Sequence, residues 1–383
     1  MNLLTKLRIK NFRAFKEDTT IDFTKTNYKI LSDTNIYNGI LKGGIFVGAN
    51  ASGKTSVIKA INKLLRLLFA QEQSNLSKEL CIFSEDDEMI LEYNFNISNS
   101  DINYYIEYNK KNKILIEKLI VDNKILINRV GKSAESNITE NKIFDGLDNE
   151  TLVLREIYFN TKFRGYDILK EWFEFLLNSV YIDAFDQRIY SPAKKSLDLK
   201  GYLEENGVEY INKFFEKLNF EQTIEYANEC YGNKVKITME EDKGIFFKRR
   251  GIDEPIPFVL ESLGNRNLLN LLPSFFHVIN NSGMLIIDEF SSGFHNKLEE
   301  LLVRFFMHNA KNSQMFLVSH STNLLSNSIL RPDQIYLTKF DNNGSSVRRA
   351  SEERPREAQN IEKMYLSGVF GGVPSYRDEE IDS

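Results

Sequence analysis

The sequence predicts an α/β fold: a head built on a parallel sheet, carrying an antiparallel β lobe and a compact helical insert. Three observations predict it. The apolar run Gly44-Ile45-Phe46-Val47 leads into a glycine turn, 48–53, and then into Ser56-Val57-Ile58-Lys59-Ala60-Ile61, whose apolar positions fall at helical spacing. Two later apolar runs, 284–287 and 315–318, end in polar residues, as buried parallel strands do where they meet a ligand crevice. Between them and the first run, residues 89–127 alternate in the period of half-buried antiparallel strands.

Taken in chain order, Leu7-Arg8-Ile9-Lys10-Asn11-Phe12 reads as a half-buried strand, and Thr20-Ile21-Asp22-Phe23 as a second. This small sheet feeds the strand at 44–47. The helix after the glycine turn runs to about Phe69, and a polar stretch at 71–78 ends it. The segments 92–97, 103–108 and 113–116 predict successive antiparallel strands joined by Asn/Ser/Lys turns. Residues 131–150 are polar and predict a mobile loop. Helical spacing returns over 168–227, with Trp172, Phe175, Leu176 and Val180 on one stripe and Phe214, Phe215, Leu218 and Phe220 on another. Such stripes are core far more often than ligand boxes. The segments 235–238 and 245–248 predict a hairpin leading back to the core. The expected division is an N-terminal lobe at 1–160, a helical insert at 161–235 and a C-terminal lobe at 236–383. Neither internal repeats nor sustained heptads occur.

Composition narrows the functional classes. Hydrophobic content of 42% and charged content of 27% are ordinary for a globular protein. No run approaches a membrane span, so no membrane attachment is expected. Cys81 and Cys230 match no metal or redox spacing and suit a reducing cytosol, which makes the expected location cytoplasmic. A net charge of −5 argues against nonspecific coating of nucleic acid but leaves room for a local basic face.

The octapeptide Gly48-Ala49-Asn50-Ala51-Ser52-Gly53-Lys54-Thr55 is a complete Walker A loop in its required strand–turn–helix setting. Gly48 and Gly53 let the backbone curl so that amide N–H groups point at phosphate oxygens. The helix dipole adds favourable potential, Lys54 reaches the outer phosphates, and the Thr55 hydroxyl is an expected Mg2+ ligand. Asn50, Ser52 and Ser56 complete the expected nucleotide-binding set. Downstream, Met284-Leu285-Ile286-Ile287-Asp288-Glu289 has the form of a Walker B strand. Asp288 is expected to hold Mg2+ and Glu289 to polarise the attacking water. His320 caps the strand at 314–318, where it can reach the γ-phosphate or that water. His277 and His308 read as ordinary helix residues, and His295 as a residue within reach of a second subunit.

This order of P-loop, carboxylate pair and strand-capping histidine resembles ABC-type ATPases. Their fifth element, a serine–glycine signature ahead of Walker B, is present as Leu260-Glu261-Ser262-Leu263-Gly264-Asn265-Arg266. In ABC ATPases this element completes the site of the opposite subunit, which implies that Ser262 and Gly264 read ATP across a dimer. The chain further resembles AAA15-type ATPases, relatives of RecF, SMC and the overcoming-lysogenization-defect nucleases. That resemblance rests on "LRIKNFRAFK", "GANASGKT", "ESLGNRNLL", "LIIDEF", "LVSHSTNLL", "LRPDQIYLTK" and "YLSGVFGGVP". It implies ATP and Mg2+ as cofactors and a homodimer or higher homo-oligomer. It also implies a separately encoded effector, a nuclease above all, in bacterial anti-phage defence. Two departures stand out. Phe290-Ser291-Ser292-Gly293-Phe294-His295 matches the acidic D-loop only loosely. Gln71 and Gln73 are Q-loop candidates by position alone, against the reading of a surface helix end.

Thr338-Lys339-Phe340-Asp341 imitates the guanine-recognition motif of GTPases. The Asp-x-x-Gly switch is missing, because Ser291 stands three residues after Asp288, so ATP is expected. With no acidic cluster that reads as a built-in nuclease, the leading expectation is a slow ATPase switch that senses a phage cue or restrains a partner. The alternative is a RecF-like DNA-repair ATPase, with Lys6, Arg8 and Lys10 on one strand face and Lys248-Arg249-Arg250 as a second basic cluster. A transporter subunit fits least, for want of a clean Leu-Ser-Gly-Gly-Gln.

Overall fold

The computed structural model describes residues 2–71, 75–138, 142–149, 151–193, 197–239, 242–291 and 293–371. Among the described residues, seven strands form a central sheet in the order 188–190, 180–183, 284–288, 314–318, 43–48, 335–341, 344–349. Its inner strands run parallel, and Met284–Asp288 and Gln314–Val318 are buried along their whole length. That explains the unbroken apolar runs 284–287 and 315–318 within them: both faces of a parallel sheet are covered.

On one face lies the helix Lys54–Phe69. Its Val57, Ile58, Ile61, Leu64, Leu65 and Leu68 share a core with an antiparallel sheet. Among the described residues that sheet has eight strands, in the order 142–144, 133–136, 124–130, 114–121, 100–109, 88–97, 2–10, 19–22. Here the alternating sequence is explained by one buried and one solvated face, as in Glu88–Ile97. The Tyr93 hydroxyl donates to the Ala60 carbonyl at 2.7 Å and locks the sheet to the helix. On the other face of the central sheet, the helices Leu263–Asn281 and Asn296–Asn309 pack against Ile45, Val47, Leu285 and Ile287.

Three expectations differ from what is seen. The described part of 131–150 is not a loop: Ser133–Ser136 and Lys142–Phe144 are edge strands of the large sheet. The buried Arg129 fixes this region, donating to the Gly131 carbonyl at 2.8 Å and to the carbonyls of Thr151 and Asp148. Short polar edge strands carry no apolar signal of their own, so the sequence concealed them. The segments at 235–238 and 245–248 do not pair with each other. Lys236–Thr238 joins Glu229–Tyr231, while Gly244–Arg249 lies between Gln222–Ala227 and Ile252–Pro257. Finally, 161–235 is woven through the core. Its helices Asp167–Leu177, Leu199–Asn206 and Glu209–Lys217 are interrupted by Val180–Asp183, which enters the central sheet beside the Walker B strand. The stripe of Trp172, Phe175 and Leu176 is buried core, with the indole against Phe95 and Tyr104.

Candidate functional site

The P-loop sits where the strand Gly43–Gly48 gives way to the helix that begins at Lys54. Its two glycines are required by close approach. A Cβ at Gly48 would lie 2.4 Å from the Thr338 carbonyl oxygen. At Gly53 the backbone has φ +104° and a Cβ would lie 2.4 Å from the Ser345 hydroxyl. Asn50 is exposed at the loop's tip, Ser52 is buried with its hydroxyl 2.5 Å from that of Thr338, and Ser56 is half-buried in the first helical turn. The Lys54 ammonium is folded over the loop, donating to the carbonyls of Gly48 at 3.0 Å and Ala49 at 2.8 Å. Burial lowers its pKa, and the neighbouring Glu289 and Asp288 oppose that shift.

Opposite this helix, the Walker B strand delivers Asp288. The Thr55 hydroxyl donates to its Oδ1 at 3.1 Å. The carboxylate is buried, and burial pushes its pKa up to about 6 against the opposing pull of the Thr55 hydrogen bond and Lys59. A hydroxyl and a carboxylate at this separation suit Mg2+, which is held by one or two carboxylates together with substrate phosphates and water. Among the described residues no cluster of three or more His, Cys, Asp and Glu could hold a metal ion.

Glu289 adopts φ +56°, a left-handed conformation costly for a non-glycine residue. The bend turns its carboxylate towards the neighbouring strand, where Oε2 lies 3.5 Å from Nε2 of His320. The Phe290 N–H donates to the Val318 carbonyl at 2.8 Å and the His320 N–H to Ser291 Oγ at 3.3 Å, so the two strand ends are stitched together. Lys54, Thr55, Asp288, Glu289 and His320 therefore share one end of the parallel sheet.

The signature residues make hydrogen bonds of their own. Ser262 is exposed and caps the helix Leu263–Asn281, its hydroxyl accepting from the Asn265 N–H at 3.3 Å. Glu261 is buried and fixes the cap by accepting from the Ser262 N–H and from Arg249, both at 2.6 Å. A Cβ on Gly264 would lie 2.6 Å from the Gly293 carbonyl oxygen, so the signature turn rests on the turn that follows Glu289. Among the described residues no hydrogen bond joins Ser262 or Gly264 to the chain's own P-loop. Beside them Val259, Leu260 and Leu263 are 72%, 75% and 52% exposed, an apolar shelf without a cover.

Residues 45–326 match the family described as "AAA domain, putative AbiEii toxin, Type IV TA system". The chain belongs to this family. A search of curated proteins gave no match. Among solved structures, the Smc head domain of Pyrococcus furiosus, with an extended coiled coil and bound to the C-terminal domain of ScpA, is similar at 14% identity. That likeness covers 97% of this chain and 100% of the other, with a TM-score of 0.53. An SmcHead bound to the C-winged helix domain of ScpA is similar at 13% identity, covering 90% and 96%, with a TM-score of 0.52. The fold of this AAA-family chain is thus the P-loop ATPase head of the SMC and ABC type.

Other candidates in this AAA-family head fall differently. The basic residues proposed for DNA are largely neutralised in place. Arg8 is bonded to Asp18 and Glu92, Lys10 to Asp86, Lys248 to Glu225 and Arg249 to Glu261. His295 caps the helix Asn296–Asn309, its Nδ1 accepting from the Lys297 N–H at 3.2 Å. Gln71 is an exposed residue just past the P-loop helix. Gln73, Ser292 and 372–374 of "YLSGVFGGVP" lie outside the described residues. One feature the motifs missed is an aromatic pair. Thr338 lies in register with Gly48, and Phe340, two residues on, is 44% exposed and meets the half-exposed Phe83 edge-on at 5.5 Å. Its signal was the aromatic inside the apparent guanine motif. Asp341, the residue that motif would use on a base, instead accepts from the Asn343 N–H at 2.8 Å.

Proposed function

We propose that this chain is a Mg2+-dependent ATPase switch of the AAA15 type whose active site is completed by a second copy. The observation that carries the reading is the Thr55–Asp288 contact beside the Glu289–His320 pair, with the exposed signature serine capping its own helix. The P-loop amides and Lys54 hold the phosphates. Mg2+ on Thr55 and Asp288 would neutralise charge between the outer phosphates. Glu289 takes the proton of the attacking water, and His320 holds that water or the γ-phosphate. The exposed helix N-terminus at Ser262 and Gly264 reads the γ-phosphate of the opposite subunit, and the apolar shelf at Val259, Leu260 and Leu263 becomes buried as the dimer closes.

The switch serves a separately encoded effector, a nuclease above all, in bacterial antiviral defence. Membership of a family whose description includes a toxin supports this reading. So does the pairing of the basic strand face, which weakens the RecF-like alternative. Among the described residues no helix is long and apolar enough to cross a membrane.

Mixing two inactive variants tests the composite site. Ser262→Arg retains its P-loop, and Lys54→Ala retains its signature, so a mixed dimer holds one undamaged site. Recovery of phosphate release on mixing is expected. Heterodimers that form but show no recovery would refute the trans assignment. Toxicity or phage protection is expected only when the effector is co-expressed, and it should vanish with Lys54→Ala.

A further inference from the structure

A cleft of about 720 Å³ opens beside the P-loop helix, and among the described residues none of 48–55, Asp288, Glu289 or His320 lines it. One wall is a single face of that helix, carrying Lys59, Asn62, Lys63 and Arg66. Arg13 and Arg188 add two more cations to the lining. Facing these five cations are three carboxylates, Glu79, Asp183 and Asp186, which leaves an excess of two positive charges.

The pairing shows which charges are uncommitted. Glu79 serves two cations at once, Arg13 at 2.7 Å and Lys63 at 2.9 Å. Arg188 is 3.6 Å from Asp186. Among the described residues neither Lys59 nor Arg66 forms a direct ion pair, although Lys59 acts on Asp288 through space, and the Arg66 guanidinium lies over the Tyr190 ring at 4.5 Å. These two sit seven residues apart on the helix, about 10 Å along its axis. That span is wider than one phosphate and suits a run of neighbouring phosphates. Between them Asn62 is only 5% exposed, and its Oδ1 has no hydrogen-bond partner. An unused acceptor in a cationic wall suits a ligand that also carries a hydroxyl or amino donor.

We infer that this cleft binds a small molecule with vicinal phosphates, a nucleotide or phosphorylated sugar, as a second anion site separate from the P-loop. The volume lies in the range of small-molecule sites rather than of a macromolecular interface. Its position links it to the first site. Lys59 stands one turn beyond Thr55 on the same helix face, and Asp183 is in register opposite Asp288. An anion bound here touches both the P-loop helix and the strand beside Walker B.

Inorganic pyrophosphate, titrated calorimetrically into the full chain, tests the inference. Lys54→Ala removes the P-loop lysine and should leave one binding event. In that background Lys59→Ala and Arg66→Ala should each weaken the remaining event about tenfold, the loss of one charge-assisted contact. Lys59→Arg and Arg66→Lys should retain it, and unchanged circular dichroism spectra would show that every variant folds. ADP and inorganic pyrophosphate compared on the same variant separate a nucleotide from a bare polyphosphate, and either, if sensitive to Lys59 and Arg66, supports the site. No binding to the Lys54→Ala protein, or binding indifferent to both cleft residues, would overturn it. So would a single-stranded oligonucleotide that depends on these residues where pyrophosphate does not bind. Failure of the P-loop reading looks different: wild type and Lys54→Ala would then bind pyrophosphate identically.

Discussion

Replacing Asp288 by Asn should make the nucleotide-free protein more stable, although it removes a residue assigned to the metal. Asp288 is 3% exposed, and its pKa stands near 6 instead of the ordinary 3.8, chiefly because burial penalises the charged form. Between those two values the native state binds more protons than the unfolded state. Stability therefore falls as pH rises through that window, and above about pH 6 the whole penalty is present. The separation corresponds to roughly 3 kcal/mol. Asn keeps an oxygen to accept from the Thr55 hydroxyl and carries no charge, so Asp288→Asn should recover much of that amount at pH 8 and almost none at pH 4. A change of this size should raise the thermal midpoint by several degrees. Thermal unfolding in a chelator, at both pH values, provides the comparison. Adding Mg2+ and a non-hydrolysable ATP analogue should then reverse the ranking, because wild type gains a bound ion and the variant does not. Equal destabilisation of Asp288→Asn at pH 4 and pH 8 would refute the assignment of a buried, charge-penalised carboxylate.

Two further outcomes separate the parts of the site. Glu289→Gln should bind ATP as wild type does but slow phosphate release by about a hundredfold or more, since the amide keeps the shape and cannot take a proton; parallel loss of ATP binding would contradict that division of labour. If Phe340 and Phe83 form a platform for the base, Phe340→Ala should weaken ATP about tenfold and leave tripolyphosphate unaffected. Direct titration with the two ligands checks this, and equal weakening of both would point to a damaged P-loop instead.

The sequence was most readable where a local pattern and its chemistry coincide. Gly53 must adopt φ +104° and admit Ser345 against its missing side chain, so the glycine is visible as a letter because the geometry tolerates nothing else. The unbroken apolar run before Asp288 was legible for a similar reason: both faces of that strand are covered. Legibility failed where partners are distant in sequence. Nothing near Val180 announces that it pairs with Leu285, and nothing near Lys236 announces Tyr231 in place of the 245–248 segment. Arg129 is a single charged letter on an alternating strand, yet its guanidinium holds three carbonyls and converts an apparent loop into sheet edge. The basic face shows the same limit in reverse. Arg8 and Lys10 read as free cations until the fold brings Asp18, Glu92 and Asp86 against them. Among the described residues Lys59 and Arg66 form no ion pair, and they lie on a helix whose sequence drew notice for its phosphate-binding start and its apolar face. Net charge of a segment therefore says little about where an anion binds. What decides it is which cations the tertiary structure leaves without carboxylates, and here two of them, Lys59 and Arg66, lie one helical turn and more beyond the P-loop threonine.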